Sequence, residues 1–346
     1  MLYKLLVKPV LSLFSPESST GVLLRILKTA RRIPLVAPMI RAGHRVKADS
    51  LGREVFGLHF SNPVGVAAGL DRSGEYADLF SDLGFSFIEI GSITPRPQDG
   101  ETRPRVFTLP RDKALLSRTG NPNRGVREAI SVLSRRGRRS RPIQVGVNIT
   151  ASARSYTDES IVSDYRAAFA QLYDFADYFV INLTDSRRPE AGLQADTNLL
   201  TDVLDELLEM RLYYDTYKSI LLKISSDLTP DLLDEILDYA LMSGIDGIVA
   251  GGPAGRSARL QTPAQRLHEI GEGGISGAPA FQGMLETVRH IHARTHGRLP
   301  IVACGGIQSP EDAQKALEAG ASLVEMYSAI WYQGPKIARK TLKKLQ

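Results

Sequence analysis

Cysteine is almost missing from these 346 residues. Cys304 stands alone, so no internal disulfide can form and nothing points to a secreted, oxidised scaffold. A reducing cytoplasm fits this usage best. Long apolar runs are missing as well: neither Met1 to Phe14 nor Gly21 to Leu27 reaches the roughly 20 residues of a bilayer-spanning helix. A signal peptide fits poorly, because Pro9 interrupts the first run and no small-x-small cleavage pattern follows it. No RNA- or DNA-binding motif occurs.

Acidic residues are scarce at one end only. Residues 1–50 hold nine Lys or Arg against Glu17 and Asp49, a balance of +7, which leaves −2 for the rest of a chain whose net charge is +5. A basic segment on a nearly neutral body reads as a surface-attracted extension, with anionic lipid as its target. Leu2, Leu5, Leu6, Leu13, Leu23, Leu24 and Leu27 beside Lys and Arg suggest two amphipathic helices lying at an interface. A helical cap packed on the body is the other reading. The body has the composition of a globular domain, 43% hydrophobic and 23% charged.

From residue 62 short apolar runs alternate with amphipathic helical patterns. The runs are 63–68, 87–90, 144–149, 178–182, 220–224, 247–250, 300–304 and 322–326, eight in all. Between them, segments such as 158–175, 198–211, 230–241 and 310–319 begin with polar or proline start signals. Buried strands alternating with helices mean a parallel sheet, and eight units favour an α/β fold closed as a (β/α)8 TIM barrel. A doubly wound sheet would carry GxGxxG after its first strand, where this chain reads Ala67-Ala68-Gly69-Leu70-Asp71. Two long excursions, 92–125 and 251–279, follow the second and sixth strands. Loops there lie on the catalytic face of a barrel, which makes both candidate lids or substrate walls. The arginine cluster between Arg135 and Arg141 falls on the opposite face, as a solvated surface.

Chemistry-bearing residues collect at the strand ends. Gly273-Gly274-Ile275-Ser276-Gly277, Gly305-Gly306-Ile307 and Tyr327-Ser328 offer backbone N–H groups where barrels recurrently bind phosphate. Tight turns without a ligand are the alternative. Lys223 lies inside an apolar strand, and a buried lysine needs an anionic or carbonyl partner. Asn148 and Asn182 end the third and fourth strands. Such groups suit the edge of a flavin ring, with Lys223 on its electron-rich side, or a buried polar network that serves the core alone.

The segments NPVGVAAGLDRSGE (62–75), GFSFIEIGSITPRPQ (84–98), RPRVF (103–107), VGVNI (145–149), VIN (180–182), GGISG (273–277), CGGI (304–307) and LVEMYS (323–328) resemble the membrane-associated, quinone-using class of dihydroorotate dehydrogenases. The resemblance covers nearly the whole chain. It implies an FMN barrel over residues 51–346, preceded by a helical segment, 1–50, that contacts the membrane and guides a quinone. It also implies a peripheral location on the cytoplasmic face of the membrane. Carried over by position, the flavin contacts fall on Ala67, Ala68, Gly69, Ser92, Asn148, Asn182, Lys223, Gly277, Gly306, Tyr327 and Ser328. The substrate positions fall on Arg72, Ser117, Arg118, Thr119, Gly120, Asn121, Arg187 and Gly252, and the catalytic base on Asp185.

Several of these depart from the family pattern. Asn-Arg-x-Gly-Phe-Asn becomes Ser117-Arg118-Thr119-Gly120-Asn121-Pro122. Asn-x-Ser-Ser-Pro-Asn becomes Asn182-Leu183-Thr184-Asp185-Ser186-Arg187, so the base serine is an aspartate. Thr-Asn-Thr becomes Gly251-Gly252-Pro253, the Gly-Lys-Asn-Lys loop reads Thr150-Ala151-Ser152-Ala153, and the lysine of GLDK is Arg72. Three asparagines that would contact orotate are gone, each hydrogen bond worth on the order of 1–3 kcal/mol. Asp185 suits a general base if burial raises its pKa, or a loop ion pair with Arg187 or Arg188. Three functions follow: an FMN-dependent dihydroorotate dehydrogenase, a flavoprotein with another substrate, or a catalytically silent homologue, with or without the flavin.

Overall fold

The computed structural model describes residues 3, 8–11, 14–46, 49–136, 143–184, 196–255 and 259–346. The described chain opens with helices α1 (Lys8–Leu11), α2 (Pro16–Ala30) and α3 (Val36–His44), then a hairpin of β1 (Arg53–Val55) and β2 (Leu58–Phe60). There follow β3 (Val64–Val66), α4 (Ala77–Asp82), β4 (Phe87–Ile93), β5 (Val106–Leu109), β6 (Ala114–Ser117), α5 (Gly125–Ser134), β7 (Gln144–Ile149), α6 (Asp158–Leu172) and β8 (Tyr178–Asn182). The second half contains α7 (Thr197–Arg211), β9 (Ser219–Ile224), α8 (Pro230–Ser243), β10 (Gly247–Ala250), α9 (Ala264–Ile270), β11 (Gly274–Gly277) and α10 (Phe281–Thr295). It ends with β12 (Ile301–Cys304), α11 (Pro310–Glu318), β13 (Leu323–Met326), α12 (Ser328–Gln333) and α13 (Ile337–Leu345).

Eight parallel strands close into a barrel in the order β10-β12-β13-β3-β4-β7-β8-β9. They are the eight apolar runs of the sequence, trimmed or extended by a few residues. Local chemistry starts the helices where expected. Thr157 and Ser309 form capping boxes ahead of α6 and α11, while Thr229 caps α8, which has Pro230 in its first turn.

Strand periodicity sorts the side chains into two cores. Outward residues such as Ile88, Ile90, Val147, Phe179, Ile181 and Leu222 pack beneath the helices. Inward residues such as Phe87, Tyr178, Val180, Leu221, Val249, Val302 and Leu323 form a separate cluster inside the barrel. The hairpin seals the floor of that interior: Phe60 meets Phe87 edge-on at 5.4 Å, and Phe56 meets Tyr178 at 5.4 Å. With the floor closed by aromatic rings, chemistry is left to the opposite rim.

Two inward positions must stay small. A Cβ on Gly146 would come within 2.2 Å of the Tyr178 ring, and one on Gly65 within 2.3 Å of the Phe87 ring. Gly146→Ala is therefore expected to cost about 1–3 kcal/mol by overpacking a rigid interior. Urea unfolding would show this as a lower midpoint at unchanged slope.

The two excursions do not remain separate loops. β5, β6 and β11 join in one antiparallel sheet with β6 at its centre, pairing Ala114 with Gly277 and Ser117 with Gly274. In the sequence they lie about 160 residues apart, and no local pattern announces the pairing.

The N-terminal helices sit against the barrel. Leu24 joins the main core, whereas Phe14, Val22, Ile26, Ile33, Leu35 and Met39 are exposed. Part of the basic charge is committed to α4 and the turn before it: Lys28 pairs with Glu75 at 2.8 Å, Arg31 with Asp82 at 2.5 Å, and Arg41 with Asp82 at 3.3 Å. Leu2, Leu5, Leu6 and Leu13 of the expected first amphipathic helix lie outside the described residues. Among the described residues no helix is long and apolar enough to cross a membrane. In the arginine cluster Arg136 is an ion-pair partner of Asp78 at 3.5 Å rather than a freely solvated charge, and Arg138, Arg139 and Arg141 lie outside the described residues.

Candidate active site

At the C-terminal strand ends the inward side chains turn polar. Ser92 Oγ donates to Asn148 Oδ1 at 2.5 Å, and Asn182 Nδ2 donates to Ser92 Oγ at 2.9 Å. Asn148 Nδ2 donates to Glu89 Oε2 at 3.3 Å, and the same carboxylate oxygen lies 3.8 Å from Lys223 Nζ. Strands β4, β7, β8 and β9 thus bring Ser92, Asn148, Asn182 and Lys223 into one connected array. Burial alone would depress the Lys223 ammonium, but Cys304, Glu89 and Glu325 around it reverse the effect and hold it protonated.

Beside this array, β3 delivers Ala67, Ala68 and Gly69, and a Cβ on Gly69 would touch the Tyr327 ring at 3.5 Å. The glycine turns meet at the start of α10. Gly277 leads into that helix, and a Cβ on Gly306 would strike the Phe281 amide at 2.2 Å. With φ of +112° and +72°, both positions favour glycine on backbone grounds too. From the Gly306 turn, Gln308 Nε2 reaches Ser328 Oγ at 2.5 Å, while its Oε1 is buried with no hydrogen-bond partner.

The substrate positions are spread more widely. Ser117 ends β6 with Oγ 3.5 Å from the Gly274 carbonyl, at the limit of a hydrogen bond. Arg118 is exposed, its guanidinium 5.5 Å from the Phe107 ring centroid. Thr119, Gly120 and Asn121 form a turn braced by Gln98, whose Nε2 donates to the carbonyls of Gly120 and Asn121 while its Oε1 accepts from Ala153 N. Asn121 adopts a φ of +52°, and its Nδ2 is buried without a partner. Gly252 is half-buried with open space where a side chain would stand. Asp185, Arg187 and Arg188 lie outside the described residues.

Arg72 faces the helical segment, donating to Glu17 Oε1 at 3.1 Å from a turn that Asp71 holds by accepting four backbone N–H groups. Arg105 grips the same carboxylate, with Nη2 at 2.8 Å from Oε1 and Nε at 3.0 Å from Oε2. Burial raises the Glu17 pKa, but hydrogen bonds from Arg105 and Arg72 outweigh it and leave the carboxyl below its usual value. Around this cluster a cavity of about 430 Å³ runs between α2 and the barrel, from Pro16 and Leu24 to Gly69 and Tyr327.

Glu17, Gln98, Glu89 and Glu325 were not singled out in the sequence. For the last two a signal existed: a carboxylate inside the apolar runs FIEI and LVEM needs a partner as much as Lys223 does.

Residues 50–346 match the family described as dihydroorotate dehydrogenase. The chain belongs to that family. A dihydroorotate dehydrogenase (quinone) of Christiangramia forsetii is 34% identical over 344 residues, spanning 99% of this chain and 98% of the relative. One from Parvibaculum lavamentivorans is 37% identical over 339 residues, spanning 97% and 91%. Among solved structures, the Eimeria tenella DHODH in complex with ferulenol superposes with a TM-score of 0.82 at 28% identity, covering 95% of this chain and 90% of the other. These relatives place this dihydroorotate dehydrogenase family member with the quinone-dependent, dehydrogenase-type enzymes, on the barrel its periodicity indicated.

Proposed function

We propose that the chain is an FMN-dependent oxidoreductase that takes electrons from a dihydroorotate-like substrate and hands them to a quinone. The observation that carries this reading is the cavity beneath α2, which joins the helical segment to the Gly69 and Tyr327 wall beside the Ser92-Asn148-Asn182-Lys223 array. The residues present fit the cofactor. Donors and acceptors from four strands meet where a ring edge would lie. The Gln308 amide, whose Oε1 is buried without a partner and exchanges with Nε2 by a flip, stands beside Ser328 and follows the Gly306 turn, where it could serve a phosphate.

Bound FMN would supply the two-electron acceptor of the reaction. The chain supplies the rest. Lys223 would oppose negative charge on the ring, Asn148, Asn182 and Ser92 would fix its orientation, and Gly277, Gly306 and Ser328 would hold the phosphate. The Asp185 carboxylate accepts the substrate proton. We further assign residues 1–50 to peripheral membrane contact through Phe14, Val22, Ile26, Ile33, Leu35 and Met39, and residues 51–346 to the catalytic barrel.

One observation favours a substrate other than dihydroorotate on the same flavin scaffold. After β10 the threonine of the family pattern is Gly251, on the flavin side of the loop. Beside it, Gly252 and Pro253 bring no hydrogen-bonding side chain. Anaerobic addition of dihydroorotate to the yellow protein separates the two. Bleaching followed by recolouring with a quinone is expected for the first reading, whereas bleaching by dithionite alone would leave the second. Asp185→Asn is expected to abolish turnover with the true substrate, and unchanged turnover would remove Asp185 as the base.

A further inference from the structure

Two carboxylates and one ammonium occupy the closed interior of the barrel just below the Asn148 and Asn182 amides. Glu89 stands on β4, Glu325 on β13 and Lys223 on β9, each at an inward-facing position and each nearly removed from solvent. The strand between β13 and β4 is β3, whose inward residue at that level is Gly65, paired with Glu325 on one side and Phe87 on the other. Gly65 adds no side chain of its own there, its inner face being covered by the Phe87 ring, and Glu325 lies within hydrogen-bonding reach of Glu89.

Four buried polar atoms here have no hydrogen-bond partner: Glu89 Oε1, both oxygens of Glu325, and the Tyr178 hydroxyl. Two carboxylates offer only acceptors, so they cannot satisfy each other, and leaving such groups unpaired in a dry interior is costly. A single proton removes the conflict, because one acid then donates to the other. The groups acting on Glu325 are Glu89 from β4, Cys304 from β12 and Lys223 from β9, with Tyr178 of β8 facing both acids. Lys223 is the one cation among them.

We infer that Glu89 and Glu325 hold one proton between them in the native protein, with Glu325 as the neutral acid. Glu325 is thereby a positioning residue: it leaves Glu89 as the carboxylate partner of Lys223 and keeps the ammonium from facing two negative charges. Burial, followed by the charge of Glu89, pushes Glu325 well above the ordinary carboxylate range, in agreement with this geometry. The consequence for catalysis rests on the flavin reading, since an ammonium balanced by one carboxylate keeps its field for the ring edge above it. The shared proton itself does not depend on that reading.

The test uses the full-length protein as isolated and needs no bound flavin. Infrared spectra at neutral pH are expected to contain the carbonyl band of a protonated carboxylic acid that disappears in Glu325→Gln. It should also disappear in Glu89→Gln, because either change leaves one carboxylate for one ammonium. Denaturant unfolding gives an independent readout. A carboxyl that keeps its proton when folded and loses it on unfolding makes the wild type less stable as pH rises above the ordinary carboxylate value, until the native value is reached. Glutamine has no such proton, so the folding equilibrium of Glu325→Gln relative to wild type should rise by up to about tenfold per pH unit. A wild type without the band, a band that survives either substitution, or a variant less stable by a constant factor at every pH overturns the inference. A colourless preparation that passes these tests would count against the flavin assignment and not against the proton.

Discussion

Replacing Arg105 by methionine is expected to loosen the N-terminal helices before it loosens the barrel. Arg105 is 5% exposed, and its guanidinium binds both oxygens of Glu17 and the carbonyls of Asp99 and Glu101. Breaking one half of a buried pair costs about 3–5 kcal/mol. The cost here belongs near the lower end, because Arg72 and Arg103 still reach Glu17. The loss falls on the contact between α2 and the barrel, while the barrel strands keep every hydrogen bond. About 3 kcal/mol corresponds to local opening roughly a hundredfold more frequent. Amide exchange would register it across Pro16–Ala30, with the strands unchanged.

The same pair carries a pH signature. The Glu17 carboxyl is held below its usual value, so its contribution is complete above the ordinary carboxylate pKa and is lost as pH falls through the lowered one. Wild-type α2 should therefore open in acid, and the Arg105 variant should lose much of that slope. On the proposed flavin and quinone reading, with the cavity as the quinone route, reoxidation by quinone is expected to fail in this variant while reduction by substrate survives.

Lys223→Met is expected to have the larger effect. It removes the ammonium beside Glu89 and Glu325 and leaves their carboxyls in a dry interior. About 3–5 kcal/mol is expected near neutral pH. The penalty should shrink as pH falls, because a carboxyl that takes up a proton no longer buries an unpaired charge. On the proposed flavin reading the variant should also be isolated colourless, because the counter-charge for the ring would be gone. A variant as stable as wild type at every pH would mean that the three groups do not act as one cluster.

The periodic part of the molecule was legible in the sequence because strand and helix spacing is a local property. Eight apolar runs became eight barrel strands, and Thr157, Thr229 and Ser309 start helices where the sequence has them. Lys223 was legible for a chemical reason, since a charge inside an apolar strand demands a partner. Its partners are written in the same way at Glu89 and Glu325, but a single glutamate inside an apolar run does not name the strand its partner stands on. Glu17 had no local signal at all. Its grip on Arg105 spans 88 positions, and only the closed topology places α2 over the Arg105 loop. The pairing of β6 with β11 is hidden for the same reason.

That pairing governs how the roof of the site can change. Ser117 to Asn121 hang from the end of β6, and the Gly251 loop is fastened to the other side of the same ribbon where Ala254 bridges Ile275. Removing one residue between Ala114 and Ser117 would invert the faces of that stretch, displacing contacts contributed by a segment far along the chain. Anyone altering ligand choice in this protein has to recut both excursions together, as a single piece of cloth with one seam.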